Sequence, residues 1–270
     1  MKSAPFDMFS PNNLKELVEL LDQYRDDARI LAGGQTLIPM LAMRVASPKI
    51  LIDINQVNDF PRLSLTQQRL EIGALIRHSE FEAFLRNHPN HLLYKMVPWV
   101  AHLAIRNRGT VCGSICHADP SAEWVLASLV LDGYVNLLSK KKKRRVRAKD
   151  FYIGPLQTCK LAEEVVVSVD FSMITDGVEY GFSEYGHRHG DFAIVSAAIV
   201  RNEKKLTIGF GGVSDLPLVY ELQDVDKKTC KEFIEQVSHE VDVREDPSAT
   251  AAYRRFLMRS QAIQALSQLS

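Results

Sequence analysis

Several chemistries are missing from this chain before any residue is given a role. It has four cysteines, Cys112, Cys116, Cys159 and Cys230, and none of them forms a CxxC. Without paired CxxC motifs there is no basis for a structural zinc or an iron–sulfur site. The eight histidines are scattered and make no HExxH, so no protein-bound metal is expected. There is no GxSxG nucleophile elbow, no GxGxxG dinucleotide fingerprint and no P-loop GK[ST]. Net charge is zero, with 33 basic residues against 33 acidic, so no global field draws nucleic acid or an anionic membrane. No apolar run approaches the roughly 18 residues of a membrane span, and the opening MKSAPFDMFSP carries no apolar leader. The expected setting is cytoplasmic, with no nucleic-acid partner and no membrane span.

What the chain does have is ordinary globular material, 46% hydrophobic and 24% charged, enough for one large domain or two to three small ones. Its densest feature is residues 105–120, IRNRGTVCGSICHADP, with Gly109 and Gly113 among small residues, followed by an apolar helical run from Trp124. Glycines allow a tight turn and close approach of backbone to a ligand. Backbone N–H groups in such a turn, or at a helix start, make an anion-binding concavity. Taken alone, the stretch fits either a phosphate loop or a tight turn between buried elements. A second stretch of this kind, Ala32, Gly33, Gly34, Gln35, Thr36 and Leu37, follows a short apolar strand and opens a second apolar helical run. The two could grip a pyrophosphate from two sides.

In chain order, residues 1–55 read as a compact βαβ-like unit. A helix follows Ser10 or Asn12 as cap, with Leu14, Leu17, Val18, Leu20 and Leu21 at helical spacing. The strand at 49–54 is expected parallel to that at 28–32. Residues 56–175 carry a strand at 69–73, a helix capped by Ser79 with Glu82 as its capping-box partner, a helix over 92–103, and strands at 134–138 and 164–171. The run KKKKRRVR at 140–147, seven basic residues in eight, reads as a solvated hairpin without aromatic interleaving. Residues 176–270 carry two or three antiparallel strands and helices near 229–241 and 247–269.

Residues 31–39 (LAGGQTLIP), Ser47-Pro48 and Leu51-Ile52-Asp53-Ile54 resemble the first FAD loop of the FAD-binding medium subunits of molybdenum hydroxylases. Residues 105–111 (IRNRGTV) and His117-Ala118-Asp119-Pro120 are similar to the second. This group includes the medium subunits of aerobic carbon monoxide dehydrogenase and of bacterial N-heterocycle hydroxylases, and the FAD domain of xanthine dehydrogenase. Residues 188–193 (RHGDFA), 209–213 (GFGGV) and Tyr253-Arg254-Arg255 extend the resemblance in order over essentially the whole chain.

The resemblance implies an α+β fold: two subdomains of the vanillyl-alcohol-oxidase (PCMH) FAD-binding type, at 1–55 and 56–175, and a C-terminal α+β domain at 176–270. It implies FAD in this chain and no catalytic residue of its own. A large subunit would carry molybdopterin cytosine dinucleotide, and a small subunit two [2Fe-2S] clusters feeding electrons to the flavin, in a dimer of heterotrimers that serves an external acceptor. Carried over, Ala32, Gly33, Gly34, Gln35, Thr36 and Leu37 with Thr110, Val111, Gly113 and Ser114 hold the pyrophosphate. Ala101 and Ile105 line the cleft, and Ala118, Asp119 and Glu123 reach the ribityl or adenosine portion. Phe182 stands either beside the flavin ring or in the core. Two departures are Cys112, where relatives carry glycine, and Glu184, where some carry a lysine near the flavin. Alternatives from other classes are a free-standing flavin oxidoreductase of the same superfold and an interaction subunit that has lost FAD.

Overall fold

A computed structural model of the chain describes residues 2–66, 68–174, 176–203, 205–223 and 226–270. The expected unit boundary at residue 175 falls outside them.

The N-terminal part is β1 (Asp7–Phe9), α1 (Leu14–Tyr24), β2 (Ala28–Leu31), α2 (Leu37–Ala42) and β3 (Ile50–Asp53). Both β1 and β2 pair with β3 in parallel, as the βαβ pattern anticipates. Leu17, Val18 and Leu21 of α1 bury against this sheet with Ile52, Ile54 and Phe60. Neither Ser10 nor Asn12 caps α1. Asn13 does, accepting from the Glu16 N–H at 2.9 Å, while the Glu16 carboxylate accepts from the Asn12 N–H at 2.8 Å. The side chain that closes the first turn wins the cap position, and Asn13 stands at that spacing.

The middle part is β4 (Ser64–Thr66), β5 (Arg69–Gly73), α3 (His78–Leu85), α4 (Leu92–Met96), α5 (Leu103–Arg106), α6 (Val111–His117), α7 (Glu123–Val130), β6 (Tyr134–Leu138), β7 (Lys143–Arg147), α8 (Ala148–Phe151), β8 (Tyr152–Gly154), β9 (Gln157–Thr158) and β10 (Val165–Ser172). Strands β4-β5-β10-β6-β7 form an antiparallel sheet in that order. Helix α7 is buried nearly all round through Trp124, Val125, Leu126, Ala127, Ser128 and Val130, as expected of a helix with no polar stripe.

Three expectations fail here. The helix over 92–103 is broken: α4 passes into a 3-10 turn with Pro98 at its start, and Ala101 takes φ 47° before α5. Ser79 does not cap α3, whose N-cap is Arg77 with no side-chain bond; Glu82 instead pairs with Arg106 at 3.2 Å. The glycine stretch before α7 is largely helix α6 rather than open loop. The basic run forms the β6–β7 turn and edge strand β7, and its arginines have partners. Arg144 makes two bonds to the Glu164 carboxylate, at 2.7 and 2.8 Å. Arg145 meets Asp170 at 3.0 Å and lies 4.1 Å from the Tyr134 ring centroid, and Arg147 meets Asp132 at 2.7 Å. A charged edge of this kind resists pairing with another strand.

The C-terminal part is β11 (Glu179–Tyr185), β12 (Val195–Arg201), β13 (Lys205–Gly211), β14 (Leu218–Gln223), α9 (Lys227–Glu240) and α10 (Ala251–Leu266). The sheet is a four-stranded antiparallel meander, not two or three strands. One face packs on α9 and α10, where Ser183 bonds Gln261 at 2.6 Å. The other packs on α7: a Cβ at Gly209 would lie 2.3 Å from Val130 and 2.8 Å from Leu126. Arg254 is fully buried and ties this part together, bonding the Ile194 and Gly212 carbonyls at 3.1 and 2.9 Å and Asp246 at 2.6 Å. No helix among the described residues is long and apolar enough to cross a membrane.

Candidate cofactor site

The first glycine turn leaves β2 and enters α2. Gly34 takes φ +72°, a backbone region open to glycine and strained for other residues. The Gln35 amide closes the turn by donating to the Gly33 carbonyl at 3.1 Å. The backbone N–H groups of Gly34, Gln35, Thr36 and Leu37 donate to no group among the described residues. They are the uncommitted donors of a helix start, suited to an anion.

The second turn behaves differently. Thr110 is the N-cap of α6, and its hydroxyl accepts from the Gly113 N–H at 3.0 Å. The Ser114 N–H goes to the Thr110 carbonyl and that of Val111 to Ile76. Of the amides at 110–114, only those of Thr110 and Cys112 remain uncommitted among the described residues, fewer than a free loop would offer. Val111 is fully buried. The departure at Cys112 resolves simply: its side chain turns into the core, with Sγ 3.4 Å from the Ile72 carbonyl, and burial pushes its thiol well above the usual range. Cys112→Gly is therefore expected to leave FAD affinity within about threefold of the parent while lowering stability by about 2 kcal/mol, from lost burial and a helical glycine. Flavin titration and urea unfolding of the same preparation check both halves.

The two turns touch. A Cβ on Gly33 would lie 2.5 Å from the Arg108 carbonyl oxygen and 2.7 Å from the Gly109 Cα. Two residues that sequence reasoning missed lie at this junction. Arg77 donates to the Arg108 carbonyl and to Asn55 Oδ1, and Asn55 Nδ2 donates to the Ala32 carbonyl at 3.0 Å. Beneath them His78 accepts from the Trp124 indole N–H at 3.1 Å through Nδ1. Burial, then Arg106 and Arg77, push His78 down to about 4. The ring is neutral at pH 7 and carries its proton on Nε2, since Nδ1 is accepting.

The remaining candidates follow along α6. Ala118 closes that helix at φ 57°, and the Asp119 carboxylate accepts from the Ser121 N–H at 2.8 Å. Glu123 starts α7 and is buried; Glu184, on the meander face opposite α10, is buried too, with Oε2 making no hydrogen bond. Ser196, its partner in the ladder, has an equally unbonded buried hydroxyl. Burial, helped by Asp119, pushes Glu123 up to about 7; burial and the nearby Glu123 carboxylate push Glu184 well above the usual range. Phe182 packs in the core, edge-on to Trp99 at 6.4 Å. Ala101 and Ile105 flank Leu103, and Ile105 and Leu103 expose apolar surface. A cavity of about 260 Å³ is lined by Asp119, Pro120 and Ser121 together with His187, Phe192 and Arg244.

A dinucleotide flavin fits these features. The first turn supplies uncommitted amides for phosphate, and the buried carboxyl and hydroxyl at Glu184 and Ser196 leave polar atoms to be satisfied. The fold and site thus define an FAD-binding domain of an oxidoreductase. The family profile described as the FAD binding domain in molybdopterin dehydrogenase matches residues 4–171, and the chain belongs to that family. It is similar to the 6-hydroxypseudooxynicotine dehydrogenase complex subunit alpha of Paenarthrobacter nicotinovorans, 36% identical over 203 residues, covering 74% of this chain and 68% of the relative. The nicotine 6-hydroxylase medium subunit of the same organism is 31% identical over 239 residues, covering 83% and 81%. Among solved structures, quinoline 2-oxidoreductase from Pseudomonas putida 86 matches with a TM-score of 0.88 at 29% identity over 99% of both chains. Carbon monoxide dehydrogenase from Hydrogenophaga pseudoflava matches with a TM-score of 0.91 at 23% identity over 100% of both, a likeness of fold.

Proposed function

We propose that this chain is the electron-transferring FAD subunit of a heterotrimeric molybdenum hydroxylase. The observation that carries the reading is the direct contact of two glycine turns, one rich in uncommitted amides, in a chain of the molybdopterin dehydrogenase FAD family. When bound, FAD supplies the redox chemistry. The protein's own part is to bind and orient it. Residues 32–37 with the start of α6 at Thr110, Val111, Gly113 and Ser114 cradle the pyrophosphate, the amides free to donate there being those of Thr110 and Cys112. Ala101 and Ile105 line the cleft. Ala118, Asp119 and Glu123 reach the ribityl or adenosine portion and Glu184 lies toward the ring, while Phe182 serves as a core aromatic against Trp99. The fold is of the PCMH type, divided at about residues 55 and 175.

Electrons reach the flavin from [2Fe-2S] clusters of a small subunit. These are fed by a large subunit holding molybdopterin cytosine dinucleotide, which also sets the substrate, and an external acceptor then takes them. The assembly is a dimer of heterotrimers, and residence is cytoplasmic, a setting that suits four free cysteines. Purification of the chain with its neighbours, followed by acid precipitation, tests the reading. FAD released in a one-to-one ratio, together with iron and molybdenum in the same preparation, is the expected result. Flavin retained in the denatured pellet points to a free-standing covalent oxidase instead, and a colourless preparation that takes up no added FAD overturns the assignment.

A further inference from the structure

We propose that Arg77 is the positioning residue that fixes the spacing of the two glycine turns, through a side-chain relay running from the Arg108 carbonyl to Asn55 and on to the Ala32 carbonyl. This rests on the FAD reading above and assigns a role to residues outside both turns.

The Arg77 backbone is held on both sides. On one side of it the His78 N–H donates to the Gly109 carbonyl at 3.0 Å. On the other, the Val111 N–H donates to the Ile76 carbonyl at 3.1 Å. Arg77 and Thr110 face each other as an isolated antiparallel bridge. The residue is thus clamped to the second turn from both sides, and its guanidinium reaches away from that clamp toward the first. One nitrogen donates to the Arg108 carbonyl and another to Asn55 Oδ1. Asn55 is held in turn: its N–H donates to Asp53 Oδ1 at 3.0 Å, and Nδ2 donates to Ala32 at 3.0 Å. Ala32 and Asp53 lie where β2 and β3 end, so the relay is anchored in the parallel sheet.

A pyrophosphate bound from two sides gains from donors already at the right separation, because nothing must then be ordered on binding. The turns pack into different hydrophobic clusters, Ala32 against the N-terminal one and Val111 within the middle one. The planar fork of arginine serves two acceptors at once, which a lysine ammonium on a flexible stem does less well. That difference separates positioning from simple charge: an arginine that acted on phosphate only as a cation would be replaced adequately by lysine.

The test uses the full chain with the subunits that accompany it, stripped of flavin, and reads FAD dissociation constants by flavin fluorescence. Arg77→Lys and Asn55→Ala are each expected to weaken FAD at least tenfold, about 1.4 kcal/mol, with circular dichroism unchanged. The double variant should be no more than about threefold weaker than the worse single, since both remove one relay. In the FAD-free protein, hydrogen exchange of the amides in both turns should quicken together in Arg77→Lys. Wild-type affinity in Arg77→Lys, full additivity, or exchange that changes in one turn alone overturns the proposal. If the parent protein itself takes up no FAD, the cofactor reading falls, while the exchange comparison still decides whether Arg77 joins the turns.

Discussion

Gly33→Ala is expected to yield a folded chain that retains no FAD through purification and is less stable by about 3 kcal/mol. The added methyl would sit 2.5 Å from the Arg108 carbonyl oxygen and 2.7 Å from the Gly109 Cα. Both obstacles are backbone, so no side chain can rotate aside. Relief comes only by moving one turn from the other, which opens the junction where phosphate donors must converge. A loss of that size lowers the unfolding temperature by roughly 6–12 °C in a chain of this length. Gly154→Ala is the control, since its Cβ would meet only the Gln157 side chain, at 3.5 Å. Absorbance at 450 nm per chain and a thermal melt read both effects. A Gly33→Ala protein with parental flavin content would mean that the turns do not meet as described.

The second large effect is in pH. Glu184→Gln is expected to be more stable than the parent at pH 8 and to match it at pH 4. A buried carboxyl whose folded pKa is raised holds its proton more tightly than the unfolded chain does. Its environment costs nothing below the unfolded value near 4.5, and stability then falls as pH rises toward the folded value. For Glu123, pushed up to about 7, the window runs from about 4.5 to 7 and the loss across it is on the order of 3 kcal/mol. Glu184 is pushed upward by burial and by Glu123, so charging both acids in one seam is costlier than charging either. Glutamine keeps the shape and cannot charge, and it also relieves Glu123. Chemical unfolding at half-unit steps from pH 4 to 8 should show a shallower decline in the variant. Parallel curves for the two proteins would sink the idea.

Much of the fold is legible in the sequence where the signal is local. The apolar spacing of α1, the short run of β5 and the two C-terminal helices all announce themselves, as does the parallel relation of β2 and β3. The basic hairpin is legible as charge, but its partners Glu164, Asp170 and Asp132 come from distant segments. Helix α6 reads as loop in the sequence because its glycine and small residues are poor helix formers; the Thr110 cap and the packing of Val111, Cys112 and Ile115 override that preference. Strand β14 is not evident in the sequence although Leu218, Tyr220 and Leu222 alternate, for a short run beside Pro217 carries little weight. Arg77 could not be found at all, because its bonds to Asn55 and Arg108 span 22 and 31 residues. The glycine turns themselves are visible in the sequence; that they touch is not, since contact belongs to the packing of two sheets rather than to either segment.

Helix α7 has a consequence for how the molecule comes apart. Its apolar surface is shared, with Trp124 and Val125 in the middle core while Leu126 and Val130 lie against Gly209 of the meander. The family profile ends at residue 171, yet a chain cut there would present this helix to water along one side. The C-terminal part therefore acts as the lid of a common core, and loss of either part withdraws support from the other. Denaturation should accordingly proceed as a single cooperative event, with no stable half-molecule to be isolated between the folded and unfolded states.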